Sequence, residues 1–200
     1  MKLVLASGSP RRREILQNLG LPFEVLTADT DETCTRANPA DYVRELAERK
    51  GRAVRELILA RGETLNKVLI IAADTVVALD DQILGKPRDR AEASKMLTAL
   101  SGREHAVYTG ISLLHKDGVA TACERTEVFV SSLTHKQILH YLATGEADDK
   151  AGAYAMQGLF APYIEGIRGC YFNVVGLPVN TLFRVAKWQY GIDLNKLRGM

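Results

Sequence analysis

Val68 to Leu79 is the most apolar run of the chain and is rich in β-branched residues. Such a run reads as a central strand covered on both faces, and the remaining elements must be arranged around it. One charge interrupts it: Asp74 stands between Ala72-Ala73 and Thr75-Val76-Val77. A carboxylate in that setting is rarely buried without a partner. Because apolar residues continue on both sides, a turn-capping aspartate fits poorly. A metal ligand or general base fits better.

A second constraint lies at the N-terminus. The short apolar run Leu3-Val4-Leu5-Ala6 is followed by Ser7-Gly8-Ser9-Pro10-Arg11-Arg12-Arg13, and then by the helical pattern Ile15, Leu16, Leu19. A strand, a Gly/Ser loop and a helix start leave backbone N–H groups and hydroxyls where the helix dipole favours negative charge. Pro10 suits the first helical turn, and arginine forks suit phosphate. Taken alone, the stretch is equally an ordinary capped helix with a solvated basic face. Arg13 is the arginine expected on that outer face.

The rest of the chain alternates between helical and strand patterns. Residues 2–6 read as a strand, 10–19 as a helix stopped by Gly20, and 22–27 as a second strand. Residues 28–38 form a polar, acidic loop. Asn38-Pro39 opens a helix running to about residue 60, with an apolar stripe of Val43, Leu46, Ala47, Val54, Leu57 and Ile58. Lys50 falls on this stripe, so it either snorkels to water or meets a ligand or partner. Asp80-Asp81 reads as a hairpin tip before a short strand at 82–84. Gly85-Lys86-Pro87 then fixes a cation ahead of a helix at 90–100.

His105 to His115 and Ala122 to Ser132 read as antiparallel strands joined near Lys116-Asp117-Gly118, and Thr134 caps a helix at 135–143. In Lys150 to Gly158, small residues surround Tyr154 and Gln157. That segment admits either a close ligand, with Gln157 reading a base, or a tight turn under the sheet. Leu159 to Ile167 reads as a strand, Gly169 to Gly176 as a loop or short strand, and 178–190 as the last helix. The tail beyond Gly191 reads as weakly ordered.

Composition removes several function classes. With 200 residues and 46% apolar content there is room for one domain, and a net charge of +2 gives no bulk argument for nucleic acid or membrane. Cys34, Cys123 and Cys170 are odd in number and widely spaced, which argues against a disulfide framework or zinc site and for small apolar fillers in a reducing cytoplasm. His105, His115, His135 and His140 lack metal-ligand spacing and read as structural or exposed. No run reaches the ~18 residues of a membrane helix. Met1-Lys2 reads as the start of a soluble chain without a leader.

In order and spacing, the motifs resemble the Maf family of nucleotide pyrophosphatases over nearly the whole chain. They are Leu5-Ala6-Ser7-Gly8-Ser9-Pro10-Arg11-Arg12, Asp31-Glu32, the Lys50 helix, Ala73-Asp74-Thr75, Gly85-Lys86-Pro87, Thr109-Gly110, Asp149 to Tyr154, Gln157-Gly158 and Val175-Gly176-Leu177-Pro178. The resemblance implies an α/β fold: an elongated mixed sheet with flanking helices and a central cleft between two lobes, related to the inosine triphosphate pyrophosphatases (Maf/Ham1). Residues 1–200 would form a single Maf-like domain. It implies hydrolysis of a nucleoside triphosphate to the monophosphate and pyrophosphate with Mg²⁺ or Mn²⁺. It also implies a cytoplasmic housecleaning role without a stable nucleic-acid complex, and the option of a homodimer. Arg11, Thr75 and Gln157 match the subgroup preferring dTTP and UTP. The sister subgroup, which prefers 7-methyl-GTP, has Trp, Gln and Glu there.

Residue by residue, the resemblance expects Asp74, Lys50, Lys86 and Glu32 to act in catalysis, with Glu32 and Asp74 as metal ligands. Ser7, Arg11, Arg12, Thr75 and Gln157 would bind substrate. This agrees with the chemistry of the residues. Cations offset the charge of a triphosphate, carboxylates suit hard divalent metals, and a glutamine matches an adjacent donor–acceptor pair on a pyrimidine. The alternatives are a nucleotide- or nucleic-acid-binding regulator of division or septum formation, and the 7-methyl-GTP activity.

Overall fold

The structure is a computed structural model describing residues 1–80 and 82–199. Among the described residues, seven strands form one mixed sheet in the order β2-β1-β3-β5-β6-β7, with β4 paired to β3. They are β1 (Lys2–Leu5), β2 (Phe23–Val25), β3 (Val68–Leu79), β4 (Gln82–Leu84), β5 (Glu104–His115), β6 (Gly118–Val130) and β7 (Ile164–Arg168). The helices are α1 (Pro10–Asn18), α2 (Pro39–Ala60), α3 (Arg90–Leu100), α4 (His135–Leu142), α5 (Tyr171–Val175) and α6 (Val179–Tyr190). β1 runs parallel to both β2 and β3, whereas β3, β5, β6 and β7 pair antiparallel in sequence. The expected mixed α/β architecture is therefore observed. Among the described residues, no helix is long and apolar enough to cross a membrane.

β3 is central and covered on both faces, as its composition requires. Its even-numbered residues Ile70 and Ala72 pack with Val54 and Ile58 of α2. Its odd-numbered residues Leu69, Ile71 and Ala73 pack with Ile15 and Leu16 of α1, Val175 of α5 and Leu182 of α6. Further along, Val77 and Leu79 join a separate cluster with Leu97 of α3, Tyr141 of α4, Tyr154 and Phe160.

Three expectations are corrected. Only Ile164–Arg168 of the 159–167 segment is strand. Phe160 turns fully into the core, and a 3-10 turn at Ala161–Tyr163 contains Pro162, which lacks the N–H a central strand uses. The segment from Gly169 to Gly176 holds helix α5, which Gly176 ends with φ +115°, a backbone conformation suited to glycine. The tail beyond Gly191 is packed: Ile192 and Leu194 are buried, and a 3-10 turn spans Leu194–Leu197. Asp81, half of the expected hairpin tip, lies outside the described residues.

Candidate active site

Asp74 lies in the middle of the β3–β5 ladder, opposite Gly110. It is an even-numbered residue and faces α2, where Lys50 Nζ meets its Oδ1 at 2.6 Å. The same ammonium meets Glu32 Oε1 of the acidic loop at 2.8 Å. Lys50 is thus the partner that the interrupted apolar run required, and Asp74 in turn explains an inward lysine. Gly110 makes the approach possible. A Cβ there would lie 2.4 Å from the Val43 carbonyl group, so only glycine lets the α2 backbone rest against β5 at this height. The lysine hydrogen bond holds the half-exposed Glu32 carboxyl below its usual range, opposed by partial burial.

Thr75, the next residue, is odd-numbered and faces α1 and α5. There Arg12 forms a buried hub. Its Nε donates to the Gly176 carbonyl at 2.8 Å, Nη1 to Ser7 Oγ at 3.1 Å and Nη2 to Thr75 Oγ1 at 3.0 Å. All three acceptors are neutral. Asp74 and Glu32, the carboxylates whose fields reach this guanidinium, make their ion pairs with Lys50 instead. Burial pulls the Arg12 pKa down, and the fields of Asp74 and Glu32 oppose that shift. Ser9, at the helix N-cap, makes no side-chain cap, while Ser7 Oγ accepts from the Ser9 N–H at 3.2 Å. The N-terminal stretch is therefore not an ordinarily capped helix.

These groups open onto a cleft of about 920 Å³. Ser7, Arg11, Arg12, Glu32, Lys50, Asp74, Thr75 and Lys86 all line it, brought together from the first loop, the start of α1, the acidic loop, α2, β3 and the turn after β4. The model of the Maf-like protein family matches residues 2–188. The chain belongs to the Maf family. A relative from Thermoanaerobacter sp. (strain X514), "dTTP/UTP pyrophosphatase", is 45% identical over 196 residues, covering 97% of this chain and 100% of the relative. One of the same name from Bacillus cytotoxicus (strain DSM 22905 / CIP 110041 / 391-98 / NVH 391-98) is 46% identical over 187 residues, covering 93% and 94%. The solved Staphylococcus aureus Ham1 protein aligns over 91% of this chain and 96% of its own at 14% identity, with a TM-score of 0.49.

Of the Maf motif residues expected at the site, Gln157 is the one the structure does not bring to the others. It is exposed, it is absent from the cleft lining, and its Nε2 donates to the Tyr171 hydroxyl at 2.9 Å. Arg13 is exposed, as expected of a solvated arginine. Beyond the expected site residues, the structure adds the Thr109 hydroxyl and the Gly176 carbonyl, both within the motifs above though given no role there, and the carbonyl of Asn173, which lies in none of them. A hydroxyl inside the apolar strand pattern of residues 105–115 was the available sign of Thr109. No group of three or more His, Cys, Asp or Glu residues is placed to hold a metal ion among the described residues. The oxygen donors Asp74 and Glu32 nevertheless converge on one ammonium, and two carboxylates fit Mg²⁺ or Mn²⁺, ions that take their remaining ligands from water and phosphate.

Proposed function

We propose that this chain hydrolyses nucleoside triphosphates, dTTP and UTP foremost, to the monophosphate and pyrophosphate, clearing them from the cytoplasmic pool. The observation carrying this reading is Arg12: a buried cation held by neutral oxygens, beside a paired lysine and two carboxylates. A buried charge without a contacting counter-charge is costly, and a polyanion entering the cleft supplies the missing one. The two pyrophosphatases named above, alike over nearly their full lengths, support the choice of nucleotide.

In this reading Arg12 and Lys86 bind the phosphate oxygens, and Arg11 adds positive field at the mouth. Asp74 accepts a proton from the attacking water as the water oxygen bonds to phosphorus. The bridging P–O bond breaks, and its electron pair leaves on pyrophosphate, next to the cations. Lys50 holds the Asp74 carboxylate in orientation until the proton arrives. Asp74 and Glu32 would hold Mg²⁺ or Mn²⁺, which supplies further positive charge against the phosphate oxygens. Gln157 lies outside the cleft lining with one amide N–H donated to Tyr171, so its part in reading a pyrimidine is carried here by the family resemblance and not by the cleft geometry. A homodimer is compatible with this reading, which needs neither nucleic acid nor membrane.

The deciding experiment measures products from dTTP, UTP, GTP and 7-methyl-GTP with Mg²⁺ or Mn²⁺. Pyrophosphate from dTTP and UTP is expected. Orthophosphate alone, a preference for 7-methyl-GTP, or binding without turnover would overturn the proposal.

A further inference from the structure

The Thr109 hydroxyl donates to the Asn173 carbonyl oxygen at 2.8 Å. A hydroxyl has one proton. In its 2.9 Å contact with Thr75 Oγ1, Thr109 must therefore accept, and Thr75 must donate. Thr75 Oγ1 in turn accepts from Arg12 Nη2. The direction of donation is fixed along the whole chain, from Arg12 to Thr75 to Thr109 to the Asn173 carbonyl. With its proton committed inward, Thr75 always offers a lone pair to the guanidinium.

The donor count of Arg12 completes the picture. Of five N–H groups, Nε serves Gly176 and one on each terminal nitrogen serves Ser7 or Thr75. One N–H on each terminal nitrogen is left for phosphate oxygens in the cleft that Arg12 lines. Both carbonyl anchors, Asn173 and Gly176, belong to α5 and its C-cap. Thr109 itself is 0% exposed and does not line the cleft.

We infer that Thr109 is a positioning residue. Through Thr75 it fixes the plane of the Arg12 guanidinium so that the free N–H pair meets the triphosphate. The inference rests on the triphosphate reading above. Its signature is a loss that is blind to the nucleobase and is transmitted through Arg12.

The test compares T109V, which keeps the shape and loses the hydroxyl, with T109S, which restores it, in the wild-type and R12K backgrounds. Steady-state kinetics with dTTP and UTP, calorimetric binding of inorganic tripolyphosphate, and Tm are measured. T109V is expected to raise KM for both nucleotides by a common factor of about ten and to weaken tripolyphosphate binding in step, with kcat moved less. T109S recovers most of the loss, and T109V adds little in the R12K background. A T109V protein equal to wild type, a loss that differs between nucleotides, or an undiminished loss on R12K overturns the inference. If T109V does not fold, T75V carries the same cycle. Absence of pyrophosphate release by the wild type would instead strike the functional reading, and the tripolyphosphate arm separates the two failures.

Discussion

Lys50 Nζ sits 2.6 Å from Asp74 Oδ1, joining the middle of the longest helix to the middle of the central strand. The pair is mostly shielded, with side-chain exposures of 19% and 12%. Replacing Asp74 by Asn preserves the shape and removes the proton acceptor. Turnover is expected to fall about 10²–10⁴-fold with little change in Tm. Replacing Lys50 by Met leaves the Asp74 carboxylate without its partner. Urea denaturation should then show a loss of about 1–3 kcal/mol, below the cost for a fully dry pair because water still reaches the cleft. Near-normal turnover of a folded Asp74→Asn protein would remove Asp74 from the mechanism.

Gly110 should be as sensitive as the residues that do chemistry. A methyl group at that position meets the Val43 carbonyl carbon and oxygen at 2.4 Å, and backbone cannot swing aside as a side chain can. Gly110→Ala is expected to push α2 outward, costing about 1–3 kcal/mol. It should also lower turnover by drawing Lys50 away from Asp74. Thermal denaturation and kinetics on the same preparation check both effects, and an unchanged Tm would contradict the packing argument.

His105 makes stability depend on pH. It is buried, its Nε2 is 2.7 Å from the Tyr154 hydroxyl, and its Nδ1 has no hydrogen-bond partner among the described residues. Burial lowers its pKa from 6.5 to about 4. Between those values the unfolded chain binds the proton and the folded chain does not. The stability is present above pH 6.5 and is lost as pH falls toward 4. From about pH 7.5 to about pH 5 the loss attributable to this group is about 2 kcal/mol. In H105Q that part of the slope should vanish, as denaturant melts at several pH values would show.

Chelation should separate activity from stability. Two carboxylates with substrate oxygens, rather than a closed protein cage, predict that EDTA abolishes turnover while Tm hardly moves. Mg²⁺ or Mn²⁺ should restore the rate. In E32Q, the metal concentration giving half-maximal rate should rise. A full rate after exhaustive chelation would refute metal dependence.

The sequence made the long-period features plain. The twelve-residue β3 and the stripe of α2 are repeated signals, and each local choice agrees with its neighbours. The Lys50–Asp74 pair was half visible, because each residue broke an apolar pattern and so called for a partner. α5 was not visible. Five residues are too few for a period, and the helix is fixed by contacts from afar: the Asn173 side chain donates to the Val107 carbonyl and to Thr126 Oγ1. The Arg12 hub was unreadable for the same reason, since its carbonyl partner lies 164 residues away. Gln157 shows the converse. Its side chain carries the right groups for a base, yet it stands outside the cleft lining with one N–H donated to the Tyr171 hydroxyl.

The pairing of β3 with β5 sets Asp74 opposite Gly110 and Thr75 opposite Thr109. Because successive side chains of a strand point to opposite faces, a slip of one residue would exchange them. Asp74 would turn into the layer of α1 and α5, and Thr75 would face the lysine. Catalytic competence is therefore a gauge of strand alignment. In a refolded sample, recovered turnover counts the molecules whose sheet has closed in its proper register, a quantity that recovered secondary structure alone does not report.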